Sequence, residues 1–415
     1  MDFKQKFIKF LCWSQKYTET DMVYLTVGGF WLILGQFIYS ASAFILSLVF
    51  ANLLPKETYG AYKYILSFAS ILSIFTFSEI NTSVTQAVAR GYKGSFTSAL
   101  KTRLYCGILG GIIGLFISGY YLLLNNTTMA SCFLIAAVFA PIMNSFNIYE
   151  SLLDGEKKFN VRTKYRIFLQ LFTASILIAT LFITRNIIWV LFAYFIPQTV
   201  LCIIFHKISV KKIRLNDKKD PNTISYGKHL SFMGMLSSVA KYSDRIIIWH
   251  FLGPVSVAVY SIALALPQQI GGLFKNIGLL ALPKFSCHTT QDLKKTIFPK
   301  VFKLFIAAVL LTGLYLVFSP FLFKLFFPNY LDSLAYSQVF SLSFVTLAGG
   351  QLLSTALLAQ KRNRELYVVR LVPPAIKIAL FLILIPSIGI WGAIYAILIT
   401  EVIKLFLYLV LFKKA

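Results

Sequence analysis

KISVKKIRLNDKKDPNTISYGK, residues Lys207–Lys228, decides how this chain folds. The segment holds seven Lys and Arg and no long apolar run, and it stands near the middle of 415 residues. A bilayer core is about 30 Å thick, so a crossing helix needs ~20 apolar residues. Twelve stretches meet that need, six on each side: 24–51, 59–85, 104–124, 129–150, 167–184, 187–206, 229–252, 254–283, 300–323, 333–359, 368–386 and 388–411. Residues 167–184 and 187–206 are parted only by Arg185 and Asn186. As one helix they would reach roughly 60 Å at about 1.5 Å per residue, twice the bilayer core, so they read as a hairpin.

The composition agrees. Hydrophobic residues are 58% and charged residues 13%, with a mean hydropathy of +0.74. A soluble domain of this size would need far more polar surface. The formal charge of +25 would suggest nucleic acid in a soluble protein. Its placement excludes that partner. Segments 1–21, 86–103, 154–166, 207–228, 284–303, 361–370 and 412–415 lie on one side and carry 31 Lys and Arg; the other side's loops carry Lys56, Arg185 and Lys324. The positive-inside rule then puts both termini in the cytoplasm. The expected organisation is an amphipathic cytoplasmic segment 1–21, a first lobe 22–206 with helices one to six, a basic cytoplasmic linker 207–228, and a second lobe 229–415 with helices seven to twelve. Segment 1–21 interleaves Phe3, Phe7, Phe10, Leu11 and Trp13 with Lys4, Lys6 and Lys9. That pattern suits the membrane interface rather than a cleaved signal.

Metal and nucleotide chemistry find no purchase. The five Cys and four His have no metal or redox spacing, and no G-x-x-x-x-G-K-[ST] sequence occurs. No cofactor is expected. The sequons around Asn125 and Asn126 read as chance.

The informative polar residues are the charges inside the spans: Lys63, Lys241, Arg245, Lys275, Lys377 and Lys404, against Glu79, Asp244 and Glu401. Each costs about 2.5–3.5 kcal/mol at a helix centre, so each is expected to face an interior or an aqueous cavity. Lys241 and Arg245 are four apart and share a helix face. Asp244, three from Lys241, is its expected charge partner. Glu401 and Lys404, with Lys377 on the preceding span, read either as an internal ion pair or as a proton or sodium coupling site. Glu79, late in span two, is expected near an inner gate.

The two halves echo each other. FILSLVFANLLPKETYGAY (44–62) and RIIIWHFLGPVSVAVY (245–260) each leave a span through Leu-x-Pro, turn within a few residues, and place a small residue two before a Tyr. Both halves begin on the same side, as parallel repeats do, and transporters commonly bind substrate between repeats.

YSDRIIIWHFLGPVSVAVYSIA (242–263) resembles the seventh and eighth helices of the polysaccharide flippases, within the multidrug/oligosaccharidyl-lipid/polysaccharide (MOP) exporter superfamily. ALPKFS (281–286) resembles the end of helix eight there; LPKETYGAYKYILSF (54–68) and SVTQAVARG (83–91) resemble its first-half counterparts. The resemblance implies an all-α membrane protein of twelve transmembrane helices in two pseudo-symmetric halves, and no enzyme. It implies a bacterial inner-membrane flippase for O-antigen or capsule repeat units. The partners would be a polyprenyl-diphosphate-linked oligosaccharide, membrane lipids, and a glycan polymerase with a chain-length regulator. Helices one, two, seven and eight line the cavity in that superfamily, which puts Lys63, Lys241, Arg245 and Lys275 on its walls as headgroup ligands.

Three rivals compete with this reading. An exporter of cationic drugs needs acidic cavity residues, and span one holds none. A glycan polymerase or ligase needs a long external loop, absent here. A major-facilitator transporter needs a Gly-x-x-x-Asp-Arg-type loop after helix two, where this chain reads RGYKGSFTSALKTR (90–103).

Overall fold

The computed structural model describes residues 22–286, 290–360 and 363–414. The expected amphipathic segment 1–21 lies outside them, as do the side chains around Lys275. The described residues are helical throughout, joined by short turns, with no strand among them. In chain order the helices are α1 (Met22–Leu53), α2 (Lys56–Leu72), α3 (Ile80–Ala89), α4 (Gly94–Leu123), α5 (Thr127–Phe146), α6 (Tyr149–Gly155), α7 (Phe159–Ile183), α8 (Ile187–Ile213), α9 (Thr223–Ser286), α10 (Thr290–Phe326), α11 (Ser333–Ser341), α12 (Ser343–Ala359), α13 (Asn363–Ile388) and α14 (Ile390–Lys414).

Helix α9 is two spans, not one. Gly253 interrupts it at φ 80°, ψ −179°, a backbone region essentially reserved for glycine. Pro254 then opens the second limb, where its missing N–H costs nothing. The chain reverses here. The Tyr260 hydroxyl donates to Asp244 Oδ2 at 2.8 Å, and Arg245 Nε approaches Ser261 Oγ at 3.4 Å. In one straight helix those pairs would stand roughly 24 Å apart. Ten helices among the described residues are long and apolar enough to cross a membrane, and the bent pair α2/α3 makes an eleventh. Dividing α9 at Gly253 gives twelve, the number the apolar stretches predict. The expected hairpin at 185–186 is also present, between α7 and α8. Only 214–222 of the basic central segment is non-helical, because α8 continues to Ile213 and α9 starts at Thr223.

Span two is broken, which hydropathy alone does not foretell. Along α2 and the following turn, Ser70, Ser73 and Thr76 each donate a hydroxyl to a carbonyl three or four residues back. Such back-bonding competes with the helix ladder and bends it. The chain tightens to a 3-10 turn over Ser73–Thr76, Phe77 takes a left-handed φ of 48°, and α3 departs at 49°. Glu79 sits in this break, exposed, with Thr82 Oγ1 3.4 Å away and its stem against Gly234 of α9.

Arg103 holds the break from behind. Counted in the sequence as a loop cation, it is 2% exposed. Its guanidinium donates to the Asn81 side chain at the start of α3 and to the Asn144 carbonyl at the end of α5. No carboxylate lies within ion-pair distance of it among the described residues. A buried acceptor that loses its donor costs about 1–3 kcal/mol. Arg103→Ala orphans two, so it is expected to destabilise the protein by about 3 kcal/mol. A thermal melt in detergent checks this; Lys241→Ala, at an exposed position, should leave the midpoint in place.

The outward faces are what lipid requires. Ile108, Leu115 and Phe116 on α4, and Leu310, Val317 and Phe321 on α10, are all exposed. Such rows would aggregate in water.

Candidate functional site

The two halves meet most closely at the end bearing the turns at Leu54-Pro55 and Gly253-Pro254. A Cβ added to Gly60 would lie 1.9 Å from the Pro254 carbonyl oxygen, so only glycine permits this approach. Tyr64 stacks on Trp249 with ring centroids 4.4 Å apart. Asn52 Nδ2 donates to the Phe326 carbonyl at 3.1 Å, and Lys56 pairs with Asp332 at 3.7 Å. This end of the molecule is sealed. Gly60, and Ala258 with Tyr260, are the small-x-Tyr residues of the internal echo: one allows the close approach and the other delivers a buried hydroxyl to Asp244.

Below the seal lies a cluster of charges. Lys63 and Arg245 are each eight residues from their turn, roughly 12 Å deep. They stand on the packed helices α2 and α9, within electrostatic range of each other. Tyr59, buried at 1% exposure, stands beside both: Lys63 Nζ lies 5.3 Å from its ring centre, and Arg245 is within electrostatic range. Lys377 of α13 extends the cluster, within range of Asp244, Lys404, Glu401 and Arg245. The structure thus brings together Lys63, Asp244, Arg245, Lys377, Glu401 and Lys404.

The carboxylates of this cluster are already engaged. Glu401 accepts from Lys404 at 2.6 Å along α14. Asp244 accepts from the Tyr260 hydroxyl and, at 2.7 Å, from the backbone N–H of Arg245. The expected pairing of Asp244 with Lys241 is not formed. Asp244 is 4% exposed and turned toward the second limb of α9, whereas Lys241 is exposed and lies over the Tyr242 ring at 4.9 Å. Lys63, Arg245 and Lys377 therefore have no carboxylate within ion-pair distance among the described residues. Three cations thus stand at mid-depth with none of them in a direct ion pair among the described residues. Lys275 lies in the second limb of α9, its side chain outside the described residues.

Lys63 also lines a cavity of about 400 Å³ formed within the first six spans by α1, α2, α5, α6, α7 and α8. Its polar walls include Tyr39, Asn147, Gln170, Tyr194 and Gln198. Weighing only the charges inside spans passes over these amides; in-span Asn and Gln are the signal that finds them.

Comparison with known proteins fits this geometry. A family model described as polysaccharide biosynthesis protein matches residues 25–287. An uncharacterized membrane protein of Methanocaldococcus jannaschii is 22% identical over 404 residues, covering 88% of this chain and 79% of its own. Among solved structures, the lipid II flippase MurJ in its inward closed conformation aligns with a TM-score of 0.72 at 14% identity, over 92% of this chain and 87% of that one. The MATE multidrug transporter DinF-BH aligns at 0.70 and 11% identity, over 94% and 95%. A MOP-superfamily transporter of Pyrococcus furiosus, described as having a binding pocket of reverse polarity, aligns at 0.62 and 14% identity, over 94% of both chains. At such identities the structural likeness speaks for the fold, a membrane transporter fold in two halves. The chain belongs to the polysaccharide biosynthesis protein family and is a multi-pass membrane protein with the fold of the MOP-superfamily transporters and flippases.

Proposed function

We propose that the protein is a flippase for a lipid-linked oligosaccharide. It moves a polyprenyl-diphosphate repeat unit from the inner to the outer leaflet of the bacterial inner membrane, for O-antigen or capsular polysaccharide assembly. The single observation that carries this reading is the set of cations with no carboxylate within ion-pair distance among the described residues: Lys63, Arg245 and Lys377. A diphosphate supplies the missing charge. Phosphate oxygens accept charge-assisted hydrogen bonds, bidentate from Arg245 and as a point charge from Lys63. Cationic drugs, the cargo of a rival exporter, would be repelled by the same cluster.

In this reading 22–206 and 229–415 are two lobes that rock about the cluster, 207–228 links them in the cytoplasm, and both termini are cytoplasmic. Lys241 extends the positive wall toward the basic end, Lys275 is a further headgroup ligand by the family resemblance, and Glu79 at the break in span two belongs to the inner gate. Glu401 and Lys404 set the charge of Lys377's surroundings or couple transport to a cation. No bond is made or broken, so the protein is not an enzyme in this reading. A glycan polymerase and chain-length regulator would consume the exported unit.

Deletion of the gene in its source organism tests the proposal. Surface glycan should disappear while the complete lipid-linked repeat unit accumulates, extractable from the membrane but unreachable by reagents added outside. Absence of the lipid-linked unit itself would point to a biosynthetic enzyme, and unchanged surface glycan would refute the proposal.

A further inference from the structure

The cavity within the first six spans differs in chemistry from the charge cluster it adjoins. Apart from Lys63, its charged residues are Glu150 and Arg166. These face each other at 3.7 Å, and Glu150 is also held by Arg162 at 3.1 Å, so the interior is close to neutral. The rest of the polar wall is amide and phenol. The Asn147 side chain makes no hydrogen bond to any described residue. Gln198, four residues from Tyr194 on α8, neighbours its hydroxyl. Gln170 donates to Ser42 Oγ at 3.2 Å, leaving its carbonyl free. Each amide offers two donors and an acceptor with two lone pairs. At membrane depth, unpaired polar groups persist only where a cavity ligand or water satisfies them.

Three classes of occupant can be compared with a neutral sugar. A bare cation needs carboxylates, and Glu150 is held by two arginines. An anion has only Lys63. A lipid tail would leave the amides unpaired. A neutral sugar matches: every hydroxyl both donates and accepts, and the flat rings of Tyr39 and Tyr194 can take the apolar face of a pyranose. The volume of about 400 Å³ falls within the range of small-molecule sites.

We propose that this cavity is a saccharide subsite for the neutral hexose or N-acetylhexosamine next to the diphosphate. Lys63 joins the two, lining the cavity while within electrostatic range of Arg245 in the cation cluster. The inference rests on the flippase reading and adds that the first six spans read the sugar while the cluster reads the charge.

Binding to the full-length protein in lipid nanodiscs tests it, with undecaprenyl diphosphate alone and the same lipid bearing N-acetylglucosamine, glucose or galactose. At least one sugar-bearing probe should bind roughly tenfold tighter than the bare lipid diphosphate, the worth of one or two net hydrogen bonds. Asn147→Ala/Gln198→Ala should erase that increment while the bare lipid binds as in wild type, which also reports that the variant is folded. Should the double variant fail to fold, Gln198→Leu alone should still cut the increment by severalfold. Lys63→Ala/Arg245→Ala should weaken all probes alike and keep the increment. Equal wild-type binding of every probe, or an increment that survives loss of the amides, overturns the subsite and leaves the flippase reading standing. Failure of wild type to bind any lipid diphosphate overturns both.

Discussion

Arg245→Ala is expected to reduce transport at least a hundredfold while the protein stays in the membrane at wild-type level. The guanidinium sits roughly 12 Å from the Gly253 turn and has no carboxylate partner among the described residues. Its hydrogen-bond partner is Ser261 Oγ at 3.4 Å, a weak contact, so its removal breaks little within the protein. It would remove two charge-assisted hydrogen bonds to a diphosphate, each worth about 1.5–3 kcal/mol, and a factor of ten costs about 1.4 kcal/mol. Arg245→Lys keeps the charge and loses the fork, so partial transport is expected. Asp244→Asn separates the cluster's functions. The Tyr260 hydroxyl can still donate to the amide oxygen, so the fold should survive, and headgroup binding should hold or tighten as one negative charge leaves. Transport rates from reconstituted vesicles, beside membrane protein levels, check all three. Normal transport by Lys63→Ala/Arg245→Ala would exclude the cluster as the headgroup site.

Gly60→Val is expected to trap the protein with the turn end open. A Cβ at Gly60 would meet the Pro254 carbonyl oxygen at 1.9 Å, far inside ordinary contact, and the obstacle is backbone that cannot rotate away. Helix α2 must then leave α9, taking the Tyr64–Trp249 stack with it. Moving a two-state equilibrium from 99:1 to 1:99 needs about 5.5 kcal/mol, a penalty such an overlap readily reaches. Spin labels at positions 56 and 332, whose native side chains pair at 3.7 Å, should report a longer separation, and transport should fall a hundredfold or more. An unchanged separation with intact transport would mean that this end does not open during the cycle.

Much of the fold is legible because lipid imposes simple rules. Span length follows from bilayer thickness, and the hairpin at 185–186 follows from a length no single helix can use. The Glu401–Lys404 pair is readable because residues three apart share a helix face. What escapes depends on tertiary contacts. Arg103 reads as one more loop cation, yet it ties the end of α5 to the start of α3. The break in span two is written in Ser70, Ser73 and Thr76, hydroxyl residues that hydropathy treats as neutral. Spacing along one helix assigns Asp244 to Lys241, whereas the hairpin brings Tyr260 to it from across the turn. The cavity amides escape because Asn and Gln carry no charge to flag them.

For the proposed cargo, the energetic sense of transport follows from its charge. A diphosphate of charge −2 moving outward gains about 4.6 kcal/mol per 100 mV of inside-negative potential.

The most direct measurement is translocation by the purified wild-type protein in vesicles. A fluorescent polyprenyl-diphosphate oligosaccharide is placed in both leaflets, and a membrane-impermeant quencher reads what remains outside. The account predicts that the protein exchanges this lipid between leaflets far faster than protein-free vesicles do, and that an inside-negative potential enriches the outer leaflet. Exchange no faster than in protein-free vesicles, with transport of an organic cation such as ethidium in the same preparation, would contradict it.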